Sequence, residues 1–572
     1  MQPRKPVDTP GKAGIEVDGL SKIDTESVGI LSQQDGGFGL DMWRGISRVE
    51  AVNLVNQMPK NLGSAALRDV AAQLLLSRAK APVALSEDAP SLLVARAKAL
   101  LAMGDVEGAE LLIVAAPSQD RPMGLNIVDA KLQILKYNNA RACGLAGNNR
   151  DYAGDDFWQR LLIYCDALDG KSENVGLGLS LLREISGDDP ALVLLADAVV
   201  SRKPIILESI ARPTPIHLAM SRAAKVELPL DIAKSDELLV LYSAAMAPNL
   251  KTGARIEAAE RAVPIGALNP AELRRLYQQV PYEDTDLANA LTRAAEIGGV
   301  AARALLYQAA AKQNIPSARA ETISTALDIA REDGRYKATV EAFRPLINRL
   351  PPSPEMVWFA LTGVRAFLTL GDAAGTDRWM ALLRASASIR EESRLALSRV
   401  RPLARLLGAG DASIPLETII ADWQATLGDR PEKAALRTAL NGMFLAVGDE
   451  LPASAWQGIA NGAASSQIMP APEVWFKFRD SLRALKLSPD LLPVNNATVS
   501  ANGVVAGKNA EMAQVPPGAA RAAIHALQVM GDGGPGTQGI AAIYEVVAAF
   551  RALGFERTAR QLALETLLAA GL

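Results

Sequence analysis

Hydrophobic residues recur along most of this chain at the spacing of one helix face. A clear case is the run of positions i, i+4, i+7 and i+11 formed by Val357, Leu361, Val364 and Leu368. Pro354 stands at the first helical position of this element, where a proline is well tolerated, and Ser353 precedes it as a cap. Strand-type alternation of Val, Ile, Thr and Tyr is scarce. The pattern therefore predicts an all-α fold.

A helix-opening phrase occurs twice, as Ser353-Pro354-Glu355-Met356-Val357-Trp358-Phe359 and as Ala471-Pro472-Glu473-Val474-Trp475-Phe476. Between the two phrases, Gly-containing turns recur about every 38 residues, at Gly334, Gly371, Gly410 and Gly448. Helix-hairpin solenoids have periods of this size, because each unit buries its apolar face only by stacking on the next. We therefore predict an α-solenoid of tetratricopeptide-like helix hairpins with an extended N-terminal segment.

Changes in composition divide the chain into six predicted segments. In order they are an extended, partly disordered N-terminal segment (1–40), an N-terminal helical-hairpin domain (41–190), an irregular helical transition rich in proline (191–300), regular helical repeats (301–487), a linker (488–518) and a C-terminal helical cap (519–572). The Gly-rich run 531–539 lacks the Lys-Ser or Lys-Thr sequel of a phosphate-binding loop. We interpret that run as a connector between helices.

Composition and charge narrow the function classes. Apolar residues make up 49% of the chain and aromatic residues only 5%, which is typical of closely packed Ala- and Leu-rich helices. The chain contains 60 Lys and Arg residues and 63 Asp and Glu residues, which gives a formal charge of −3, and it has no long block of basic residues. Since a nucleic-acid binder needs a phosphate-neutralising surface, we expect no nucleic-acid partner. No stretch approaches the roughly 18–20 apolar residues of a transmembrane helix.

The two cysteines, Cys143 and Cys165, stand on consecutive predicted helices at about 128–146 and 155–168. A plain hairpin would offset them along the helix axes by roughly 9 Å, whereas a disulfide requires Cα atoms within about 7 Å. A tilted helix pair or a long turn would close that gap. The sequence therefore leaves open a candidate disulfide and a pair of buried free thiols.

Candidate catalytic and ligand-binding residues are few. His217 and His525 lack a His, Cys or acidic partner at the spacing of a metal or catalytic motif, so we interpret both as half-buried or surface structural side chains. We predict no catalytic residue, no metal site, no cofactor and no small-molecule ligand. The tryptophans of the repeat region are expected to pack in the core between repeats, with a binding surface as the alternative.

The clearest candidate for a partner contact is the Gly-rich segment that carries Phe38 and Trp43. Two aromatic side chains among glycines at the start of the first helix are typical either of an N-terminal cap of the solenoid or of a contact epitope. Both interpretations stay open at the level of the sequence.

Five motifs in the first third of the chain resemble those of a family of uncharacterised proteobacterial helical-repeat proteins. They are Ser27-Val28-Gly29-Ile30-Leu31, Gly36-Gly37-Phe38-Gly39, Met42-Trp43, Phe157-Trp158 and Tyr164-Cys165-Asp166-Ala167-Leu168-Asp169-Gly170. Members of that family carry an export signal and are assigned to the cell envelope, so the resemblance implies a periplasmic or envelope protein. The opening of this chain lacks the apolar core of such a signal, and by itself it predicts a cytoplasmic protein.

The leading functional hypothesis is a non-enzymatic scaffold or docking factor that binds a partner protein in a bacterial envelope assembly, such as a motility, secretion or polar complex. One alternative is a cytoplasmic adaptor that sequesters a partner protein. A second alternative, a glycan-acting envelope enzyme, is less favoured because it requires a catalytic acid in a lysozyme-like module that the sequence does not contain.

Overall fold

In the computed structural model, helices account for nearly all of the regular structure. The structure describes residues 24–86, 88–117, 121–149, 155–451, 470–487 and 515–572, and across these ranges it contains helices and two isolated bridges but no strand. The expectations for residues 1–23, for most of the linker (488–514) and for Trp456 lie outside these ranges. Consecutive helices pack against each other as hairpins, which confirms the all-α solenoid.

The first nine helices form the N-terminal part of the array, and most of them pack against the next one in the chain. Several begin with a Ser, Asp or Asn whose side chain accepts a hydrogen bond from the first turn, as Asp105 does from the backbone N–H of Gly108. The helices are α1 Arg48–Asn56, α2 Ala65–Leu76, α3 Leu92–Ala102, α4 Val106–Ala115, α5 Met123–Leu135, α6 Asn139–Gly147, α7 Asp156–Leu168, α8 Ser172–Ser186 and α9 Pro190–Ser201.

The middle of the chain consists of shorter helices, because prolines recur between residues 204 and 270 and a proline ends a helix or starts a new one. These helices are α10 Pro215–Ala223, α11 Leu238–Met246, α12 Thr252–Ala262, α13 Pro270–Gln279, α14 Asp284–Ala288 and α15 Ala290–Ile297.

Longer, regular hairpins follow, with alternate helices α17, α19 and α21 in contact as one layer. The helices of this part are α16 Gly299–Lys312, α17 Pro316–Glu332, α18 Tyr336–Asn348, α19 Val357–Thr369, α20 Ala373–Ser386, α21 Glu391–Leu407, α22 Leu416–Ala425 and α23 Lys433–Ala446. The last described helices are α24 Pro472–Ala484, α25 Ala519–Met530, α26 Ile540–Ala552 and α27 Glu556–Ala569.

The final helices join the two ends of the array. Helices α25 and α27 pack against α1 and α2 at the start of the chain, while α26 and α27 pack against α19, α21 and α23. The backbone between α25 and α26 contacts the loop before α2, where Asp532 accepts hydrogen bonds from the backbone N–H groups of Lys60 and Asn61 at 3.0 and 2.8 Å. The solenoid is therefore closed on itself by its own C-terminal helices.

A buried arginine holds the N-terminal segment in place. Arg96 of α3 donates hydrogen bonds to the backbone carbonyls of Val28, Leu75 and Ser77 at 2.6–2.7 Å. Its side chain is fully buried, and this burial lowers the pKa of Arg96 to about 10. The carboxylate of Glu26 accepts the backbone N–H of Leu93 at 2.9 Å, at the start of the same helix. The chain from residue 24 to residue 31, which contains a short 3-10 helix at Thr25–Ser27, is thus bound to the first hairpins.

The length and apolar content of a helix determine whether it could span a membrane. In the part of the chain that the structure describes, no helix is both long enough and apolar enough to cross a bilayer.

Candidate docking surface

The two cysteines form a disulfide between α6 and α7. The Sγ atoms of Cys143 and Cys165 are 2.02 Å apart and the Cα atoms 5.5 Å apart. The predicted helix at about 128–146 is two helices in the structure, α5 and α6, so Cys143 lies on a short separate helix and the plain-hairpin estimate of the axial offset does not apply. Of the two arrangements that the sequence left open, the structure contains the bridge. It fixes α6 to the helix against which α8 packs.

Phe38 and Trp43 lie inside the protein. Phe38 is 1% exposed, its backbone N–H donates to Ser77 Oγ at 2.8 Å, and its ring centroid is 4.6 Å from that of Phe555 in the C-terminal part of the chain. Trp43 is likewise buried in the core. In this conformation both side chains are covered by the protein itself, so neither presents a surface to a partner.

An exposed apolar stripe runs along α8. The side chains of Leu177, Leu181 and Ile185 are 74%, 40% and 52% exposed and stand at i, i+4 and i+8, which places them on one face of the helix. On the opposite side, Val175 and Leu182 are buried. Helix α8 therefore has two apolar faces, of which only one is covered by the part of the chain that the structure describes. We call the three exposed residues the α8 stripe.

The helix that carries the stripe is held closely on its support. Gly178 of α8 faces Ile163 of α7, and a Cβ at this glycine would come within 2.8 Å of Ile163 Cγ1. The absence of a side chain therefore lets the two helices approach closely. The disulfide also bonds α7 to α6, so the helix that supports the stripe is covalently joined to a second helix.

Helix α9 extends the apolar surface. It packs against α8 and exposes Val193 and Leu194 on its own outer side. Charged side chains lie between the two helices, where Arg183 and Asp188 form an exposed ion pair at 2.8 Å. An apolar surface with a charged rim is the usual composition of a site for another protein.

The tryptophans of the repeat region do not all follow the core prediction. Trp379 and Trp423 are buried, but the Trp358 side chain is half exposed while the neighbouring Phe359 fills the core. In the second copy of the phrase, Trp475 is partly buried and Phe476 is exposed. In the first copy the tryptophan is therefore half exposed and the phenylalanine is buried, whereas in the second copy the tryptophan is partly buried and the phenylalanine is exposed.

Both histidines are buried, in contrast to the half-buried or surface placement expected for them. His217 Nε2 lies 3.1 Å from the carboxylate of Asp189, and its Nδ1 lies 2.8 Å from Thr214 Oγ1. Sequence inspection missed this carboxylate because it precedes the histidine by 28 residues, at the start of another helix.

This hydroxyl, imidazole and carboxylate arrangement has the order of a catalytic triad, but each member also has a structural role. His217 Nδ1 accepts the backbone N–H of Thr214 at the start of α10. Asp189 caps α9 through the N–H of Leu192 and pairs with Arg160 of α7. These contacts with His217 and Arg160 hold the pKa of Asp189 well below its usual range, although burial acts in the opposite direction. With the imidazole fully buried, the three residues join α7, α9 and α10.

Metal-ligating side chains do not gather anywhere within the described ranges, where no group of three or more His, Cys, Asp or Glu could hold an ion.

No family model matches the chain, and no curated protein or solved structure matches it either. The helical-repeat character follows from the structure itself, whereas membership of the proteobacterial envelope family stays a hypothesis based on the motifs. Sequence inspection also missed the α8 stripe. Its signal is visible in the sequence as a second leucine-type face beside the buried one.

Proposed function

We propose that this protein is a non-enzymatic docking scaffold that binds a partner protein through the α8 stripe. The observation that carries the proposal is the uncovered apolar face of Leu177, Leu181 and Ile185 on a helix whose other face is already packed. Isolated exposed apolar residues need no explanation, but a continuous row over two helical turns favours a site that a second protein covers.

The occupant that fits the stripe is an amphipathic helix of the partner. Leu177 and Ile185 are separated by eight residues, or about 12 Å along the helix axis, which is the spacing of anchors in helix-in-groove recognition. Val193 and Leu194 of α9, which packs against α8, are also exposed. A partner helix lying along α8 would cover the α8 stripe.

The disulfide supports placing this scaffold in the bacterial cell envelope. Disulfides persist in oxidising compartments such as the periplasm and are rare where thiols are kept reduced. The bond between Cys143 and Cys165 and the motif resemblance thus favour the same compartment, although each argument is independent of the other.

Site-specific photo-cross-linking in intact cells of the native host tests the docking proposal. A photoreactive amino acid replaces Leu181 in the full-length chain, and a second version carries it at Val114, an exposed residue of α4. We expect one discrete adduct with another protein from position 181 and none from position 114. Introducing Leu177→Ser and Ile185→Ser should abolish the adduct without changing the free energy of unfolding by more than about 0.5 kcal/mol, because the sites are exposed.

The matched control is the pair Leu111→Ser and Val114→Ser on α4, which removes a similar exposed apolar area elsewhere. This variant should keep the adduct. An adduct with a second copy of the same chain would show that the stripe is a self-association surface, and the absence of any adduct from position 181 would contradict the proposal as well.

A further inference from the structure

Three arginines occupy equivalent positions in successive hairpins of the regular repeats. Arg331 of α17, Arg365 of α19 and Arg399 of α21 follow one another at intervals of 34 residues. The three helices are in contact as one layer, so the equal spacing in sequence becomes a row in space. A fourth arginine, Arg430 in the loop before α23, lines the same cavity as Arg365 and Arg399. We call these four residues the arginine row.

The row is accessible and mostly unpaired. Arg331 binds Asp328 at 2.6 Å and stacks on the ring of Tyr336. Within the described chain, no carboxylate lies within ion-pair distance of Arg365, Arg399 or Arg430. Several other arginines of the regular repeats have such a partner, as Arg401 has in Asp422. All four arginine side chains are exposed.

The arginines also act on one another. Arg365 lies in a partly enclosed position, and this burial lowers its pKa, as do the neighbouring charges of Arg331 and Arg399, while Tyr336 opposes the shift. Like charges held close together raise the free energy of the folded state unless an anion neutralises them. Asp328, which pairs with Arg331, is the carboxylate that acts on Arg365, and it offsets only part of this repulsion.

The cavity beside the row has both polar and apolar lining. It has a volume of about 160 Å³ and lies between α19, α21, α22, α23 and the end of α27. Its apolar side chains are Leu368, Val400, Leu403, Trp423, Leu427, Leu436, Leu568 and Leu572. Guanidinium groups at the rim of a leucine-lined cavity suit a ligand that carries both negative charges and an apolar side chain.

We propose that the arginine row binds an extended acidic peptide segment of a partner protein, with carboxylates about three residues apart and a leucine-type side chain that enters the cavity. Packed helices lie about 8–10 Å apart. A polyproline II chain advances about 9 Å every three residues, and every third side chain lies on the same face of the chain. Carboxylates at that interval therefore match successive guanidinium groups. The site involves other helices than the α8 stripe and does not depend on it.

A fluorescence binding assay with the full chain tests this proposal. The probe is a labelled peptide of four Glu-Leu-Pro repeats. One comparison peptide has four Gln-Leu-Pro repeats and therefore lacks the carboxylates. The other has the same amino-acid composition as the probe, but its four glutamates are consecutive. We expect the regular acidic peptide to bind at least tenfold more tightly than either comparison peptide. Raising the salt concentration from about 50 to 500 mM should weaken binding, because the charges are exposed to screening.

The decisive variant combines Arg365→Gln with Arg399→Gln, and we expect a loss of at least tenfold in affinity. Its control is Arg394→Gln, which removes an exposed arginine of the same α21 that is already paired with Glu391. This control should bind like the wild type. Circular dichroism checks that each variant keeps its helices.

Equal binding of the clustered and regular acidic peptides, or an unchanged affinity in the double variant, would overturn the proposal. Tighter, equally arginine-dependent binding of single-stranded DNA or of vesicles of anionic lipid would overturn it too, because the row would then be a general polyanion site.

Discussion

His525 lies in α25 with most of its surface buried, and its Nδ1 has no hydrogen-bond partner within the described chain. Burial, together with the charges of Arg521 and Lys477, lowers the pKa of His525 to about 4, while the backbone of Lys477 opposes the shift. Burial also lowers the pKa of Arg96, to about 10, but a guanidinium starts from a far higher pKa than an imidazole and so keeps its charge at neutral pH.

At the scale of single residues, we predict that His525 makes the folded protein less stable in mild acid. The unfolded chain binds a proton at His525 below about pH 6.5, whereas the folded chain does so only below about pH 4. The stabilising contribution is therefore fully present above pH 6.5 and is lost as the pH falls toward 4. Over that window it amounts to about 3 kcal/mol.

Urea unfolding of the wild type and of His525→Gln at pH 7.0 and pH 4.5 measures this contribution. The wild type should lose more stability between the two pH values than the variant, because other titrating groups are common to both. Equal losses would contradict the low pKa of His525.

At the scale of single elements, α6 and α7 show what the helical pattern can and cannot predict. Both helices follow from their apolar faces and from caps such as Asp155, whose side chain accepts the N–H of Trp158. The distance between their cysteines does not follow, because it depends on the path of the connection and on the tilt of the helices. The sequence therefore identified the two cysteines as a candidate pair but left their state open.

We predict that reduction of the disulfide destabilises the first hairpins. Cys143 and Cys165 are separated by 22 residues, and closing a loop of that size contributes about 3 kcal/mol. Chemical unfolding with and without reductant should show this difference for the wild type. The double variant Cys143→Ser, Cys165→Ser should be insensitive to reductant, and stability that is identical in all four samples would argue against an intact bridge.

The α8 stripe and the arginine row are also properties of elements, and both have signals in the sequence. The stripe is a second apolar face on α8, and the row is an arginine repeated at 34-residue intervals. Neither signal is sufficient alone, because a second apolar face is usually covered by a neighbouring helix. An arginine of a repeat is commonly paired with a carboxylate. Only the arrangement of the described neighbours shows that none of them covers this face and that none supplies a carboxylate to Arg365 or Arg399.

At the scale of the whole molecule, the main finding is the closure of the solenoid. The backbone N–H of Gly533 donates to the carbonyl of Asn61 at 3.0 Å, and that of Gly518 donates to the carbonyl of Asp41 at 2.9 Å. These bonds join parts of the chain that are more than 470 residues apart. The Gly-rich run interpreted as a connector is, in the structure, one side of this junction.

We predict that a side chain at Gly63 disrupts the junction. A Cβ at this position would overlap the carbonyl of Gly533, with the carbonyl carbon at 2.7 Å, and both groups are backbone that cannot rotate away. Gly63→Ala should lower the free energy of unfolding by about 1–3 kcal/mol. It should also increase the radius of gyration measured by small-angle X-ray scattering, because separating the two ends relieves the overlap.

The control for this experiment is Gly144→Ala, since a Cβ at Gly144 in α6 meets no other atom within 4 Å. That substitution should leave the radius unchanged and stabilise the helix slightly, by about 0.5–1 kcal/mol. If Gly63→Ala matched the wild type in both stability and radius, the two ends would not be joined in solution as the structure shows.

The sequence by itself determined the helices and their stacking into hairpins, because helix faces and caps are set by residues three or four positions apart. Only the tertiary structure decided which faces stay uncovered, that Phe38 and Trp43 lie inside, that Cys143 and Cys165 are bonded, and that the last helices join the first. Each of these depends on residues far apart in the chain. Their distances come from small angles between helices that add up along the array, and no local pattern encodes that sum.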